Sequence, residues 1–275
     1  MRKTSHRALA ASCLGLLVAS VHAAEQGSAE TRFVNFPFMV EGVERTAALY
    51  VPSDYESSRK WPLIVFLHGG GGNGDNNGNA LTERLDRQTP VRAIRENPER
   101  FPALVAFPRC PEGKIWSPIP ADPVQSSWRL RRHGREPIPD AEDHVTAVID
   151  AIIAKFAVDK DRVILTGHSM GGEGAIRYAA LHPERIAAVA PSAGAAVMVL
   201  EDAPVLAGMG VWIFQGETDN ISTAPLARRM IDAIRAAGGQ PQYTEYEGVG
   251  HGMSKLVYQD PKVIAWMLEQ RRRGE

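Results

Sequence analysis

Two hydrophobic periods alternate along the chain. Leu63-Ile64-Val65-Phe66-Leu67, Ala103-Leu104-Val105-Ala106-Phe107, Val163-Ile164-Leu165 and Val211-Trp212-Ile213-Phe214 are short unbroken apolar runs, as expected of strands covered on both faces. Between them Val145, Val148, Ile149, Ile152, Ile153 and Phe156 recur at helical spacing, and so do Leu226, Met230, Ile231 and Ile234 ahead of Gly238-Gly239. Strand alternating with helix predicts an α/β fold with a mostly parallel, doubly wound sheet. Ahead of it, Phe33 to Val40 and Thr46 to Val51 are rich in β-formers and are separated by Glu41-Gly42, which predicts an antiparallel N-terminal hairpin.

The first residues follow a different pattern. Arg2, Lys3 and Arg7 precede a mostly apolar, uncharged stretch from Leu9 to Val21, and Val21-His22-Ala23 before Ala24 supplies small residues for cleavage. Residues 1–23 are therefore expected to be a secretory signal peptide, and 24–275 one domain, exported to the periplasm or beyond the cell. Its removal takes the formal net charge from -1 to -4 and discards Cys13, leaving Cys110 as the one cysteine and no intramolecular disulfide. Cys110 lies in a Pro-Arg-Cys-Pro turn and reads as a packed thiol. With Lys+Arg 31 against Asp+Glu 32, nucleic-acid binding through a basic surface is not expected. No later apolar stretch is long enough for membrane insertion. The proline-rich segment 110–140 carries two tryptophans and a basic cluster without sustained periodicity, as loops that cover active sites often do. Arg271-Arg272-Arg273 reads as a solvated tail.

Candidate chemistry centres on Gly167-His168-Ser169-Met170-Gly171. G-x-S-x-G is a weak signal alone, but strand-like Arg162 to Thr166 runs into it and helical Gly172 to Ala180 leaves it, the setting of a nucleophile elbow. A serine hydroxyl needs a base and a group to orient that base. Downstream, Asp219 follows a buried strand and the Gly216 turn, with Glu217 and Asp202 as rival acids. His251 sits among glycines in Gly248-Val249-Gly250-His251-Gly252, after strand-like Gln242 to Glu245 and before a final helix near Lys262 to Glu269. The order Ser169, Asp219, His251 is that of a hydrolase triad on such a sheet. For the oxyanion, the N-H of Met170 follows the nucleophile, and that of Gly70 lies in His68-Gly69-Gly70-Gly71-Gly72 after a strand. A phosphate loop is excluded because Gly-Lys-Ser/Thr is missing. No His-Glu-x-x-His or clustered Cys/His suggests a metal, and no cofactor is implied.

With these residues in place, the chain resembles the α/β-hydrolases, and more narrowly the secreted esterases grouped as "predicted peptidases", relatives of dienelactone hydrolases, feruloyl esterases and the prolyl oligopeptidase catalytic domain. The resemblance rests on Trp61-Pro62-Leu63-Ile64-Val65-Phe66-Leu67-His68-Gly69-Gly70, Pro111-Glu112-Gly113 before Trp116, Gly167-His168-Ser169-Met170-Gly171-Gly172, and Tyr243-Thr244-Glu245-Tyr246 running to Gly250-His251. It implies an α/β-hydrolase fold and Ser169, Asp219 and His251 as the triad. One departure is Phe214-Gln215-Gly216, where many relatives carry Phe-His-Gly.

The expected reaction is cleavage of a small carboxylic ester, or an esterified carbohydrate, through an acyl-enzyme. Trp116 and Trp128 are candidates to stack on an aryl group or sugar ring, and Arg129, Arg131, Arg132 and Arg135 to attract an anionic substrate. A peptidase acting on short peptides is the rival activity, and a non-catalytic binding protein on the same fold the rival class. Oligomeric state is open on sequence alone.

Overall fold

The computed structural model describes residues 33–72, 89–116, 124–125, 139–194, 197–198 and 200–272. The expected signal peptide, Trp128 and the arginines at 129, 131, 132 and 135 lie outside the described residues.

The hairpin comes first along the described chain. β1 (Phe33–Val40) and β2 (Val43–Tyr50) pair antiparallel in full register, from Phe33 opposite Tyr50 to Val40 opposite Val43. Glu41 and Gly42 both hold positive φ, at 47° and 80°, the handedness a two-residue turn needs to match strand twist. β2 therefore begins at Val43 instead of Thr46: the turn uses only two residues, so Val43, Glu44 and Arg45 are drawn into the ladder.

The remaining elements follow in chain order. They are β3 (Trp61–Leu67), α1 (Thr89–Glu96), β4 (Leu104–Phe107), β5 (Val124–Gln125), α2 (Glu142–Lys155), β6 (Val158–His168), α3 (Met170–Leu181), β7 (Ala188–Ser192), β8 (Val197–Met198), α4 (Ala203–Leu206), β9 (Gly210–Gly216), α5 (Ala224–Ala236), β10 (Gln242–Tyr246), α6 (Ser254–Tyr258) and α7 (Pro261–Glu269). An eight-stranded sheet runs β1-β2-β4-β3-β6-β7-β9-β10, antiparallel up to the β2/β4 pair and parallel beyond it. β5 and β8 pair antiparallel as a small separate ribbon, so part of the long segment after Cys110 is tied to the chain beyond β7. That segment also has fastened ends. Ile115 N donates to Pro139 O (3.0 Å) and Ala141 N to Ile115 O (2.7 Å).

Period-2 geometry divides the apolar strands between two cores. Leu63, Val65 and Leu67 of β3, Leu104 and Ala106 of β4, and Val163 and Leu165 of β6 face α2, α3, α4 and α5. Ile64, Phe66, Val105, Phe107 and Ile164 face the opposite way, toward α1, α6 and α7. All seven β3 residues are buried. Each Leu, Ile or Phe so removed from water contributes roughly 1.5–3 kcal/mol, which makes β3 and β6 the axis of the molecule.

Three elements escape the hydrophobic pattern. β7 reads Ala-Val-Ala-Pro-Ser, with one β-branched residue and Pro191 near its end, and so carries little β-propensity. It is nonetheless wholly buried between β6 and β9, where small residues fit the tight approach of two covering layers. α1 and α6 are short, and their apolar residues are defined by what they cover. Of the expected solvated tail, Arg273 lies outside the described residues, while Arg271 is exposed yet ion-paired and Arg272 is half-buried. Arg271 Nη2 reaches Asp159 Oδ2 (2.6 Å), and Arg272 Nη2 reaches Asp161 Oδ1 (2.6 Å) while its N-H donates to Asp161 O (2.7 Å). These two arginines are held because β6 places Asp159 and Asp161 opposite them.

His144, near the start of α2, is 1% exposed and lies edge-on to Phe38 with ring centroids 5.5 Å apart. Neither ring nitrogen has a hydrogen-bond partner. Burial pushes its pKa down to about 4, against Asp143 and with help from Arg45 and Lys114. The unfolded chain takes up a proton near 6.5 while the folded protein refuses it until about 4, so stability is complete above that window and falls as pH drops through it. We expect the loss through this group to be on the order of 2 kcal/mol between about pH 7 and pH 4.5. Urea denaturation across that range should show a shallower pH dependence for His144→Leu than for wild type.

Candidate active site

The site is assembled where the parallel strands end. β6 runs into α3 through one residue, Ser169, whose backbone adopts φ 57°, ψ -122°. That conformation costs a non-glycine residue about 1–3 kcal/mol and is held only where surrounding contacts over-determine it. Here the Ser169 N-H donates to Ser192 O at the end of β7 (2.9 Å), and Ser169 O accepts from Glu173 N in α3 (3.0 Å). The neighbouring glycines are required by space. A methyl on Gly171 would lie 1.8 Å from Leu67 O, and one on Gly167 would lie 2.6 Å from the same oxygen. Helix and strand can approach this closely only without side chains.

Loops after β9 and β10 complete the arrangement. His251 Nε2 lies 2.9 Å from Ser169 Oγ, and His251 Nδ1 lies 2.8 Å from Asp219 Oδ2. The two loops are bound to each other: Glu217 N donates to Tyr246 O (3.0 Å) and Thr218 N to Val249 O (3.0 Å). Gly216 makes this contact possible, since a methyl there would sit 2.4 Å from Val249 O. The Asp219 side chain is fully buried, while that of His251 is 25% exposed. Burial by itself would raise the Asp219 carboxyl. The hydrogen bonds from His251, Ile221 N and Ser222 N outweigh it and hold the group below the ordinary carboxylate range.

The rival acids are elsewhere. Glu217 is exposed and accepts from Gly248 N (2.8 Å), bracing the histidine loop without touching the imidazole. Asp202 is paired with Arg177 of α3.

Gly69 to Gly72 form a turn closed by Gly72 N donating to Gly69 O (3.0 Å), and a methyl at Gly69 would lie 3.5 Å from Ser169 Cβ. The turn therefore runs beside the serine. Met170 opens α3, so its N-H belongs to the first turn, which lacks partners within a helix. Two side chains that the sequence pattern did not single out fix the turn. Cys110 N donates to His68 Nε2 (3.0 Å), which places the ring proton on Nδ1, where it meets Gly69 O (2.8 Å). Burial holds His68 neutral, with a pKa near 4. Arg109 Nε donates to Gly72 O (3.0 Å).

Trp116 departs from the stacking expectation. It is fully buried, its indole N-H donates to His68 O (2.8 Å), and its ring meets the His68 ring edge-on at 4.9 Å. No face is left for a ligand. The indole instead supports the glycine turn from beneath, because the closure of Ile115 onto Ala141 carries it inward.

His168 is a further unforeseen neighbour. Its ring lies 4.9 Å from that of His251, and its Nδ1 is 3.2 Å from Ser192 Oγ. Burial, then the adjacent His251, push its pKa down to about 4, so it stays neutral beside the His251 ring at neutral pH. A histidine between glycine and serine carries no hydrophobic period, which is why only the assembled site reveals it.

A serine hydroxyl, an imidazole in contact with it and a buried carboxylate behind the imidazole form a line along which a proton can pass, an arrangement suited to acyl transfer. A family model described as "Putative esterase" matches residues 40–260. The "Putative esterase NocK" of Nocardia uniformis subsp. tsuyamanensis is 34% identical over 171 residues, 60% of this chain and 43% of that protein. A thermostable esterase of known structure superposes with TM-score 0.68 at 28% identity, over 87% of this chain and 63% of that one. The chain thus spans less than half of the first relative and under two thirds of the second. A feruloyl esterase module from Clostridium thermocellum superposes with TM-score 0.61 at 13% identity, over 89% and 90% of the two chains, a likeness of fold alone. The sheet and its helices have the α/β-hydrolase architecture of these neighbours. Peptidases share the fold too. No helix among the described residues is long and apolar enough to cross a membrane.

The glycine contacts give a paired expectation. Gly171→Ala should lower unfolding free energy by about 3 kcal/mol or more, since the obstructing atom is backbone. Gly70→Ala, whose added methyl meets nothing within 4 Å, should stay within about 0.5 kcal/mol of wild type in the same urea titration.

Proposed function

The chain belongs to the esterase family of α/β-hydrolases, and we propose that it is an exported serine hydrolase that cleaves small carboxylic esters, esterified carbohydrates among them. The observation that carries this reading is the line Ser169 Oγ to His251 Nε2 (2.9 Å) and His251 Nδ1 to Asp219 Oδ2 (2.8 Å), with the serine held at positive φ. In this reading residues 1–23 are removed on export.

Asp219 fixes the tautomer of His251 with its proton on Nδ1, leaving Nε2 to accept. As Ser169 Oγ bonds to the ester carbonyl carbon, its proton passes to Nε2 and the carbonyl π pair moves onto oxygen. The N-H groups of Met170 and Gly70 stabilise that oxyanion. The carbon–alkoxy bond then breaks, the imidazolium gives its proton to the departing alcohol, and Ser169 is acylated. Water enters, loses a proton to Nε2 and attacks the acyl carbon; Ser169 leaves with the proton returned. The buried carboxylate keeps its charge throughout, and its support for the imidazolium is greatest when positive charge develops there. A neutral His168 adds no repulsion to that charge.

An amide has a poorer leaving group and makes a stricter demand on the same proton delivery. The peptidases of this fold make amide cleavage the activity to test beside esters. Purified mature protein should hydrolyse short-chain aryl esters faster than a matched aryl peptide amide. Ser169→Ala should lose roughly 10⁴-fold or more in kcat, and Asp219→Asn about 10³–10⁴-fold at neutral pH, with both variants folded by circular dichroism. Ester turnover that survives in Ser169→Ala overturns the nucleophile assignment. Amide cleavage by a wild type inert toward esters makes the protein a peptidase.

A further inference from the structure

Asp219 is held by more than its own loop. Its Oδ1 accepts from Ile221 N (2.8 Å) and Ser222 N (3.0 Å), and its Oδ2 from His251 Nδ1 (2.8 Å) and Gln215 Nε2 (3.3 Å). Gln215 is the penultimate residue of strand β9, immediately before Gly216, and is 0% exposed. Its amide nitrogen also faces Ser222 O (2.5 Å) and Gly216 O (3.3 Å). With three acceptors on one side, the amide can present only its NH₂ there, and Oε1 is turned to the Ser222 hydroxyl (3.4 Å). One side chain thus ties together residues 216, 219 and 222, the whole turn that carries the acid.

We infer that Gln215 is a positioning residue for the reaction: its amide fixes the Asp219 carboxylate and shares the oxygen that receives His251 Nδ1-H. Resting on the serine-hydrolase reading above, it deepens that reading without altering the triad. Two consequences follow from the chemistry. A donor on Oδ2 draws off part of the carboxylate's negative charge, so removing it strengthens the anion that faces His251 Nδ1. A donor without charge or titration of its own also keeps the carboxylate in place at every pH at which His251 works, whereas an ionisable group there would add its own pH dependence. The charged groups facing this amide among the described contacts are Asp219 and, across Oδ2, His251; the other two acceptors are backbone carbonyls.

The test needs no natural substrate. An aryl fluorophosphonate phosphonylates an activated serine with release of fluoride, and the second-order rate against pH gives a limiting value and a midpoint for deprotonation of the base. Gln215→Leu keeps size and burial but removes the donor. Gln215→Glu is isosteric and donates only while protonated. In either variant that remains folded by circular dichroism and thermal melting, the limiting rate should fall at least about tenfold and the midpoint should move upward, because a less neutralised carboxylate favours the imidazolium. A stabilising role alone would lower the melting temperature and leave both kinetic quantities unmoved in the folded fraction. A limiting rate within about twofold of wild type, or a rate loss with no change of midpoint, overturns the inference. Should neither variant fold, Gln215→Asn retains a buried amide but withdraws it from Oδ2, and the same two outcomes apply. Failure of the wild type to be phosphonylated at Ser169 sinks the hydrolase reading and this inference with it; labelled wild type with unaffected variants sinks the inference alone.

Discussion

The molecule depends on the approach of one helix to one strand. Where β6 turns into α3, the carbonyl of Leu67 at the end of β3 occupies the space a Gly171 side chain would need. The contact brings Ser169 to the edge of the sheet in a left-handed conformation, and the cost of that conformation is carried by buried ladders on both sides of β6. The Gly69 to Gly72 turn continues directly from β3, so the same approach sets the serine and the turn next to each other. A second close approach repeats the device: Gly216 lets the loops of β9 and β10 pass carbonyl against backbone, which brings Asp219 and His251 into register with the serine.

Charge at the site is kept sparse by burial. His68 and His168 flank the serine and its base, yet both are held neutral by desolvation. Asp219 stays ionised despite burial because donors surround it. The imidazole of His251 therefore lies between a buried anion and the Ser169 hydroxyl, with a quarter of its side chain exposed. An arrangement of this kind favours a reaction in which a proton moves to and fro while the surroundings remain fixed.

Polar side chains beside the glycine turn hold its backbone in place. His68, Arg109 and Trp116 each bond a backbone oxygen of the segment from His68 to Gly72. Cys110 contributes through its N-H, while its fully buried thiol is pushed up to about 12 by desolvation. The segment from Arg109 to Trp116 thus acts as a brace under the glycine turn. Tryptophan in a long loop reads from sequence as a ligand platform; here the loop's ends are tied at Ile115 and Ala141, and the indole is turned into the core.

The amino-acid sequence by itself determined what local chemistry and periodicity can specify. Continuous apolar runs marked β3, β4, β6 and β9, helical spacing marked α2 and α5, Glu41-Gly42 marked the hairpin, and small residues around Ser169 marked a turn that tolerates no bulk. The serine, acid and histidine appeared in the order this sheet requires. Tertiary structure decided the rest, because the deciding contacts join residues far apart in the chain. His251 meets a serine 82 positions away and an aspartate 32 away, and only that meeting distinguishes Asp219 from Glu217 and Asp202. β7 became a central strand through its neighbours and not its alanines. What His68, His168 and Gln215 bond to carries no pattern in sequence, since a hydrogen-bond partner is fixed by position in space, and burial lowers the pKa of both imidazoles to about 4.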